Sequence, residues 1–205
     1  KLGTVKRTAV SEFSNIRKNG LRAISLKDND ELISVLITND QRNLIIGTHQ
    51  GYAVSFAEKA VRSMGRTAAG VRGIRLRAAD YVVGAAILYP DSKVFTISEN
   101  GYGKQTPAVE YPIKGRGGKG IKTANVTQKN GSIVGLTTVK GNEDIMLITD
   151  KGVMIRFNIQ SVSVTGRATL GVHLIKVGDD AVVATMAKVA AEAENDEEMQ
   201  SDEKE

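Results

Sequence analysis

Basic side chains are the residues of this 205-residue chain that could do chemistry, and they occur in clusters that lack acidic neighbours. Residues 62–77 contain five arginines and no Asp or Glu, and residues 151–176 contain four Lys or Arg and no Asp or Glu. Several of these bases stand beside glycine, which lets backbone N–H groups approach a ligand together with the charged side chain. Such groups bind phosphate oxygens, so the clusters predict a polyanion-binding protein.

A glycine-rich segment at residues 115–120 raises the question of whether the phosphate-binding groups belong to a nucleotide-binding enzyme. It reads Gly-Arg-Gly-Gly-Lys-Gly and matches the G-x-G-x-x-G pattern. A dinucleotide-binding loop needs a helix after it, but residues 121–125 alternate apolar and polar side chains like a strand. A P-loop is excluded as well, because Gly120 rather than Ser or Thr follows Lys119.

Other catalytic and metal chemistry finds no support in the residues. The chain has no cysteine, which excludes disulfides, thiol catalysis and Cys-ligated zinc. Its two histidines, His49 and His173, are isolated, and no nucleophile and base form a recognisable pair. Aromatic residues make up only 4% of the chain, which disfavours single-strand binding by base stacking. We predict no catalytic residue, no metal site and no bound cofactor in this chain.

The distribution of charge along the chain divides a basic body from an acidic end. The formal net charge is +5, but residues 191–205 carry eight acids and one lysine, so the first 190 residues carry +12. Such an end could compete with a polyanion for the basic body, or it could only solvate the protein. The longest apolar runs are far below the roughly 20 residues of a membrane helix, so we expect no membrane contact.

The basic clusters recur because the chain consists of repeated segments. Four similar segments begin at Gly20, Gly70, Gly120 and Gly171, with spacings of 50, 50 and 51 residues. A second set, Gly3, Gly51, Gly101 and Gly152, keeps almost the same phase. A period near 50 residues is typical of stacked supersecondary units such as propeller blades.

The pattern within one repeat predicts four strands. Residues 94–98 alternate, the Glu-Asn-Gly at 99–101 suits a hairpin turn, and residues 102–106 return. A basic loop follows, and then residues 121–126 and 133–139 form two more alternating segments. Residues 181–193 remain open between a strand and a short helix or tail. The predicted fold is all-β: a β-pinwheel or propeller-like array of four-stranded blades.

The repeat also sets the predicted organisation of the chain. We expect a partial blade at residues 1–43, blades at 44–93, 94–144 and 145–190, and an acidic disordered tail at 191–205. The first unit lacks an opening strand and the chain begins with Lys rather than Met, which predicts a piece of a longer protein, truncated on the N-terminal side and forming an open ring.

The bases gather between the second and third strands of each unit, so the array predicts a basic belt around one rim. A curved belt suits duplex DNA, a uniform line of charge that phosphate contacts can bend without reading its bases. The predicted DNA-binding residues are Lys6, Arg7, Arg17, Lys18, Arg62, Arg66, Arg72, Arg75, Lys104, Lys114, Arg116, Lys119, Lys122, Arg156 and Arg167.

Several segments resemble the C-terminal domain of the bacterial DNA gyrase A subunit. They are Lys-Leu-Gly-Thr-Val-Lys-Arg-Thr at 1–8, the segments 65–76 and 99–112, and the Gly-Arg and Gly-Val pairs within 166–172. The resemblance covers most of residues 1–190. It implies a β-pinwheel whose blades exchange strands, and it implies that duplex DNA wraps on the outer rim to support ATP-dependent negative supercoiling.

The resemblance also implies partners and a location. They are the gyrase A core domain and the B subunit in an A2B2 assembly in the bacterial cytoplasm, with ATP and Mg used elsewhere in the enzyme. Two related interpretations stay open: the C-terminal domain of the topoisomerase IV A subunit, which would deliver DNA without strong wrapping, and a propeller that binds an acidic protein.

Two departures from the family pattern limit what the resemblance carries over. The family's Q-R-R-G-G-K-G box is not intact; residues 114–120 match only its last five positions, so Arg116 and Lys119 are assigned only a general basic-loop role. The catalytic tyrosine motif is missing around Tyr52, Tyr81, Tyr89, Tyr102 and Tyr111, so this chain belongs to a topoisomerase but should not cleave DNA alone.

Overall fold

The computed structural model describes residues 1–16, 18–178 and 180–190. Arg17 and the predicted acidic tail at 191–205 therefore lie outside the described residues. The strands are β1 Thr4–Val5, β2 Asn43–Thr48, β3 Tyr52–Ala57, β4 Val71–Arg72, β5 Val82–Leu88, β6 Lys93–Ser98, β7 Tyr102–Pro107, β8 Ile121–Lys122, β9 Ile133–Val139, β10 Glu143–Thr149, β11 Met154–Asn158, β12 Val172–His173 and β13 Val183–Ala190.

Short 3₁₀ helices are the other regular elements, at Val10–Phe13, Glu58–Ala60, Ala108–Glu110 and Ile159–Ser161. The prediction of an all-β fold is confirmed. The segment at 181–193 resolves in favour of a strand as far as Ala190. No helix among the described residues is long and apolar enough to cross a membrane.

The strands form antiparallel sheets that repeat one plan. The order is β5-β2-β3-β8 in one four-stranded sheet and β9-β6-β7-β12 in the next. A three-stranded sheet, β11-β10-β13, and a two-stranded sheet, β1-β4, continue the series at either end. Each four-stranded sheet thus has a tight central hairpin, one long strand on one side and a two-residue strand on the other.

The hairpin turns require glycine for two reasons. Gly101 closes the β6–β7 turn with φ of +79°, a backbone conformation that costs other residues energy. A Cβ at this position would also stand 2.2 Å from the carbonyl oxygen of Ile175, in the next repeat. The recurring glycine therefore serves both the turn and the close approach of neighbouring units.

The short outer strand of each sheet comes from the following repeat. In the register of β8, Lys122 lies opposite Tyr52 and Ile121 lies opposite Ala53. The repeat pattern predicts that residues 121–126 form a strand in the same sheet as residues 94–98. That prediction is wrong, because β8 pairs with β3. The strands β4, β8 and β12 each complete the sheet of the preceding unit. This is the strand exchange between blades that the resemblance implied.

Apolar side chains fill the space between sheets in three clusters, one of them built around Phe95, Ile145 and Leu147. The long strands β5 and β9 lie against each other, and the Thr138 hydroxyl donates a hydrogen bond to the carbonyl oxygen of Ile87 at 2.9 Å. The long strands therefore form the inner side of the array, and the two-residue strands form its outer edge.

The first unit differs because its long segment pairs with no strand in the part of the chain that the structure describes. In the other units β5, β9 and β13 pair with β2, β6 and β10. Residues 31–38 contain no strand, and they expose large apolar side chains such as Val35 at 78% and Ile37 at 83%. Residues 31–38 therefore leave an apolar segment exposed on the first unit.

Candidate nucleic-acid interface

The outer edge is built by the strands β4, β8 and β12 together with the loops that precede them. Among the described residues each of these strands pairs with one other strand, namely β1, β3 and β7 respectively. Arg72 and Lys122 occupy the same position of the repeat on β4 and β8, and both are exposed. The sheet edges thus present cationic side chains at the period of the repeat.

Seven of the predicted DNA-binding residues are exposed around this edge or near it. No acidic side chain lies within ion-pairing distance of them among the described residues. They are Lys18, Arg62, Arg72, Arg75, Lys114, Lys119 and Lys122. Because no carboxylate among the described residues pairs with these charges, they can pair with phosphates, and we define this set as the outer rim.

A second group is half-buried and bonds within the protein. The Nε of Arg116 donates to the carbonyl oxygen of Ala60 at 2.8 Å, and its guanidinium also donates to the carbonyl oxygen of Arg72 at 3.0 Å. Arg167 donates to the carbonyl oxygen of Lys122 at 3.0 Å. These arginines connect neighbouring units.

Three bases of the first two units are held in a similar way. Arg66 donates to the carbonyl oxygen of Arg22 at 3.4 Å. Lys6 donates to the carbonyl oxygens of Ala23 and Arg66, and Arg7 forms an ion pair with Asp40. Desolvation, with the repulsion of Arg66, lowers the pKa of Lys6.

Lys104 is a base that the sequence placed on the rim but that the structure places in the interior. Its side chain is only 1% exposed. The ammonium donates to the carbonyl oxygens of Gly166, at 2.7 Å, and of Arg167, and to the hydroxyl of Thr169 at 3.1 Å. Desolvation is the main cause that lowers its pKa to about 8. We leave Lys104 out of the rim because a buried ammonium cannot reach a phosphate.

Arg156 is exposed but lies on β11, away from the outer strands. Its Nε pairs with the carboxylate of Asp144 at 2.8 Å. The edge strand β12 instead presents His173, which is exposed and occupies the position of Arg72 and Lys122. Alignment of the glycine-led segments would have found His173, and also the exposed Arg22, at that position.

Arg77 is another base whose role is set by its contacts. Its guanidinium carbon lies 3.2 Å from the centre of the Tyr52 ring. The same guanidinium donates to the carbonyl oxygen of Lys119 at 2.7 Å. Arg77 therefore braces the loop of the next unit against β3.

Metal chemistry is not indicated by the geometry. Within the part of the chain that the structure describes, no group of three or more His, Cys, Asp or Glu side chains could hold a metal ion.

The strand-exchanged sheets and their cationic edge define a β-pinwheel domain with a rim suited to a polyanion. Comparison with known proteins agrees with this class. The family described as "DNA gyrase C-terminal domain, beta-propeller" matches residues 1–39, 42–88, 92–140 and 143–190. The DNA gyrase A subunit of Staphylococcus aureus (strain NCTC 8325 / PS 47) is 48% identical over 198 residues, which are 96% of this chain and 22% of that protein.

Two solved structures are similar over 92% of this chain. The crystal structure of the C-terminal domain of DNA topoisomerase IV has a TM-score of 0.87 at 26% identity, with 59% of that chain covered. The structure of the DNA gyrase A C-terminal domain has a TM-score of 0.82 at 25% identity, with 63% covered.

The chain belongs to the DNA gyrase C-terminal domain family, and the resemblance read from its sequence is confirmed. It spans about a fifth of the length of the curated gyrase A subunits that it matches.

Proposed function

We propose that this chain binds duplex DNA along its outer rim and wraps it, as the C-terminal domain of a DNA gyrase A subunit. The observation that supports this proposal most directly is the recurrence, on the outer edges of two successive sheets, of exposed bases that have no acidic partner in the described part of the chain. Arg72 and Lys122 illustrate it, since they stand at one position of the repeat on neighbouring sheets.

The mechanism is electrostatic. Each rim residue that meets a phosphate releases a condensed counterion, so affinity comes from the backbone of the DNA and not from its sequence. Bending a site of 20–30 base pairs costs on the order of 1–6 kcal/mol, which additional phosphate contacts along a curved surface can offset. A rim with a cluster of bases at each of two neighbouring sheet edges, β4 and β8, supplies such contacts along the curve.

In the whole enzyme, wrapping would present a second DNA segment to the cleavage domain. The proposed partners are therefore duplex DNA, the gyrase A core domain and a B subunit that hydrolyses ATP with Mg, in an A2B2 assembly in the bacterial cytoplasm. This chain would contribute geometry and charge, and the reaction itself would take place elsewhere.

The affinity of the chain for duplex DNA at several salt concentrations tests binding. If about six phosphates are contacted, the affinity should fall by roughly 10³-fold between 50 and 200 mM salt, and equally for unrelated sequences. An affinity that does not respond to salt would overturn the proposal and would favour a propeller that binds an acidic protein.

A second candidate is delivery of DNA without wrapping, as proposed for a topoisomerase IV type of domain. The TM-score of 0.87 to the topoisomerase IV domain favours it, whereas the 48% identity to a gyrase A subunit favours gyrase. Both candidates predict salt-dependent binding, so only a topological measurement separates them.

A further inference from the structure

A ladder of hydrogen bonds runs around the outer edge and joins one unit to the next. The amide N–H of Arg75 donates to the carbonyl oxygen of Gly118 at 2.8 Å. The same bond recurs one unit earlier and one unit later, from Ser25 to Ala68 at 3.4 Å and from Asn125 to Thr169 at 3.1 Å. Each bond ties the segment that follows a leading glycine to the glycine-rich loop of the following unit.

An arginine side chain accompanies each rung of this ladder. Arg66, Arg116 and Arg167 stand at one position of the repeat, in the loop that precedes an outer strand. Each guanidinium donates to a backbone carbonyl of the previous unit, two residues after that unit's leading glycine. The acceptors are Arg22 at 3.4 Å, Arg72 at 3.0 Å and Lys122 at 3.0 Å.

Arg116 shows what this side chain joins. Its acceptor on Arg72 lies in β4, which belongs to the sheet of β1. Its other acceptor, on Ala60, lies in the 3₁₀ helix that follows β3 in the neighbouring sheet. The guanidinium is planar and carries donors that point in several fixed directions, so it can bond both carbonyls at once, which the point charge of a lysine cannot do in the same way.

The acceptors give these arginines a role on the rim. Each carbonyl belongs to a residue, such as Arg72 or Lys122, whose own charged side chain is exposed. A bond at that carbonyl holds the backbone that carries the exposed charge at a set distance from the loop of the next unit. Rigid spacing of charges is what a curved DNA path requires.

We propose that Arg66, Arg116 and Arg167 are positioning residues that set the curvature of the rim rather than simple phosphate contacts. The inference rests on the proposed function, because it concerns the DNA that the rim would bend. It separates two properties that a basic rim would otherwise combine. Exposed bases set affinity, and the arginines between units set the shape that the bound DNA takes.

Three variants of the full chain test this proposal. Arg116→Lys keeps the charge and loses the two-way bonding, Arg116→Ala loses both, and Lys119→Ala removes an exposed charge from the same loop. Three quantities are measured: affinity with its salt dependence, the linking-number change per bound chain at saturating protein, and amide exchange at Arg75 and Gly117 without DNA. At saturating protein every binding site on the DNA circle is occupied by folded chain. The linking-number change then does not depend on what fraction of a variant is folded.

We expect Arg116→Lys to bind with a Kd within about threefold of the parent, because its charge is kept. Its linking-number change per bound chain should fall by about half or more, since the single nitrogen of lysine cannot occupy both the Nε and Nη1 positions from which Arg116 reaches the two carbonyls. Amide exchange should rise at Arg75, and also at Gly117, whose N–H donates to the carbonyl oxygen of Gly73 at 2.6 Å, as the contact between units loosens. Lys119→Ala should instead lose about one unit of salt slope and keep its linking-number change per bound chain.

The proposal is overturned if Arg116→Lys wraps DNA like the parent, or if Arg116→Ala and Lys119→Ala have the same effects. Failure of the proposed function would be a different result: the parent itself would not bind or wrap DNA. The exchange rates at Arg75 and Gly117, measured without DNA, would then still show whether Arg116 holds the units together.

Discussion

The buried ammonium of Lys104 donates a hydrogen bond to the carbonyl oxygen of Arg167, one repeat further along the chain. A lysine of one unit therefore supports the loop that carries an arginine of the next. Lys6 holds the carbonyl oxygen of Arg66 in the same way two units earlier. The interior of the array thus contains basic residues whose role is to hold the outer loops in place.

The burial of Lys104 predicts how stability depends on pH. Its pKa is about 8 in the folded protein against an ordinary value of 10.5, so the unfolded chain binds more protons between these values. Stability should therefore rise as pH increases from about 8 to about 10.5, by up to roughly 3 kcal/mol from this group. Urea unfolding at several pH values measures it, with Lys104→Met as the control that lacks the rise. Parallel pH curves for parent and variant would contradict the prediction.

Alanine substitution at two glycines with the same φ angle distinguishes the free-energy cost of the left-handed turn from the cost of lost packing space. Gly101 and Gly152 both have φ of +79°, but a Cβ at Gly152 would meet no atom within 4 Å. Gly152→Ala should cost only about 1–2 kcal/mol for the left-handed backbone. Gly101→Ala should cost about 1–3 kcal/mol more, because its Cβ would overlap the Ile175 carbonyl. Chemical unfolding measures both, and equal losses would show that the close approach of the units is unimportant.

The exposed bases of the outer strands should carry affinity. Replacing both Arg72 and Lys122 with alanine should weaken binding to all duplex sequences alike and reduce the salt slope by about two. Lys140→Ala is the control for a single exposed charge away from the rim, because Lys140 follows the inner strand β9 and pairs with Asp91 at 3.8 Å. Titration of labelled duplexes over a range of salt measures the slopes. A loss restricted to one sequence, or an equal loss in the control, would be incompatible with a phosphate-binding rim.

The sequence predicted the hairpins and the all-β repeat because these features have strong local signals. Glycine recurs at the turns, and alternation marks strands such as β6 and β9. Strand exchange has no such signal. The outer strand Ile121–Lys122 has only two residues, and nothing in its alternation tells which sheet it joins. Only the resemblance to the gyrase domain implied the exchange.

The rim was predictable as a region but not residue by residue. A cluster of bases shows where charge gathers, but it does not distinguish the exposed Lys119 from the buried Lys104, whose acceptors come from the next repeat. Arg116 shows the same limit. Its bonding to Ala60 and Arg72 depends on how neighbouring units pack, which the local sequence does not encode.

The central claim is that the rim wraps DNA, and the linking number of closed circles tests it most directly. Relaxed nicked circles would be saturated with the chain, sealed by ligase and deproteinised, and their topoisomers compared with circles sealed alone. We predict a shift in linking number that grows with the amount of protein bound, because DNA on a curved rim traps writhe. An unchanged topoisomer distribution at saturation would contradict wrapping and would favour the DNA-delivering alternative.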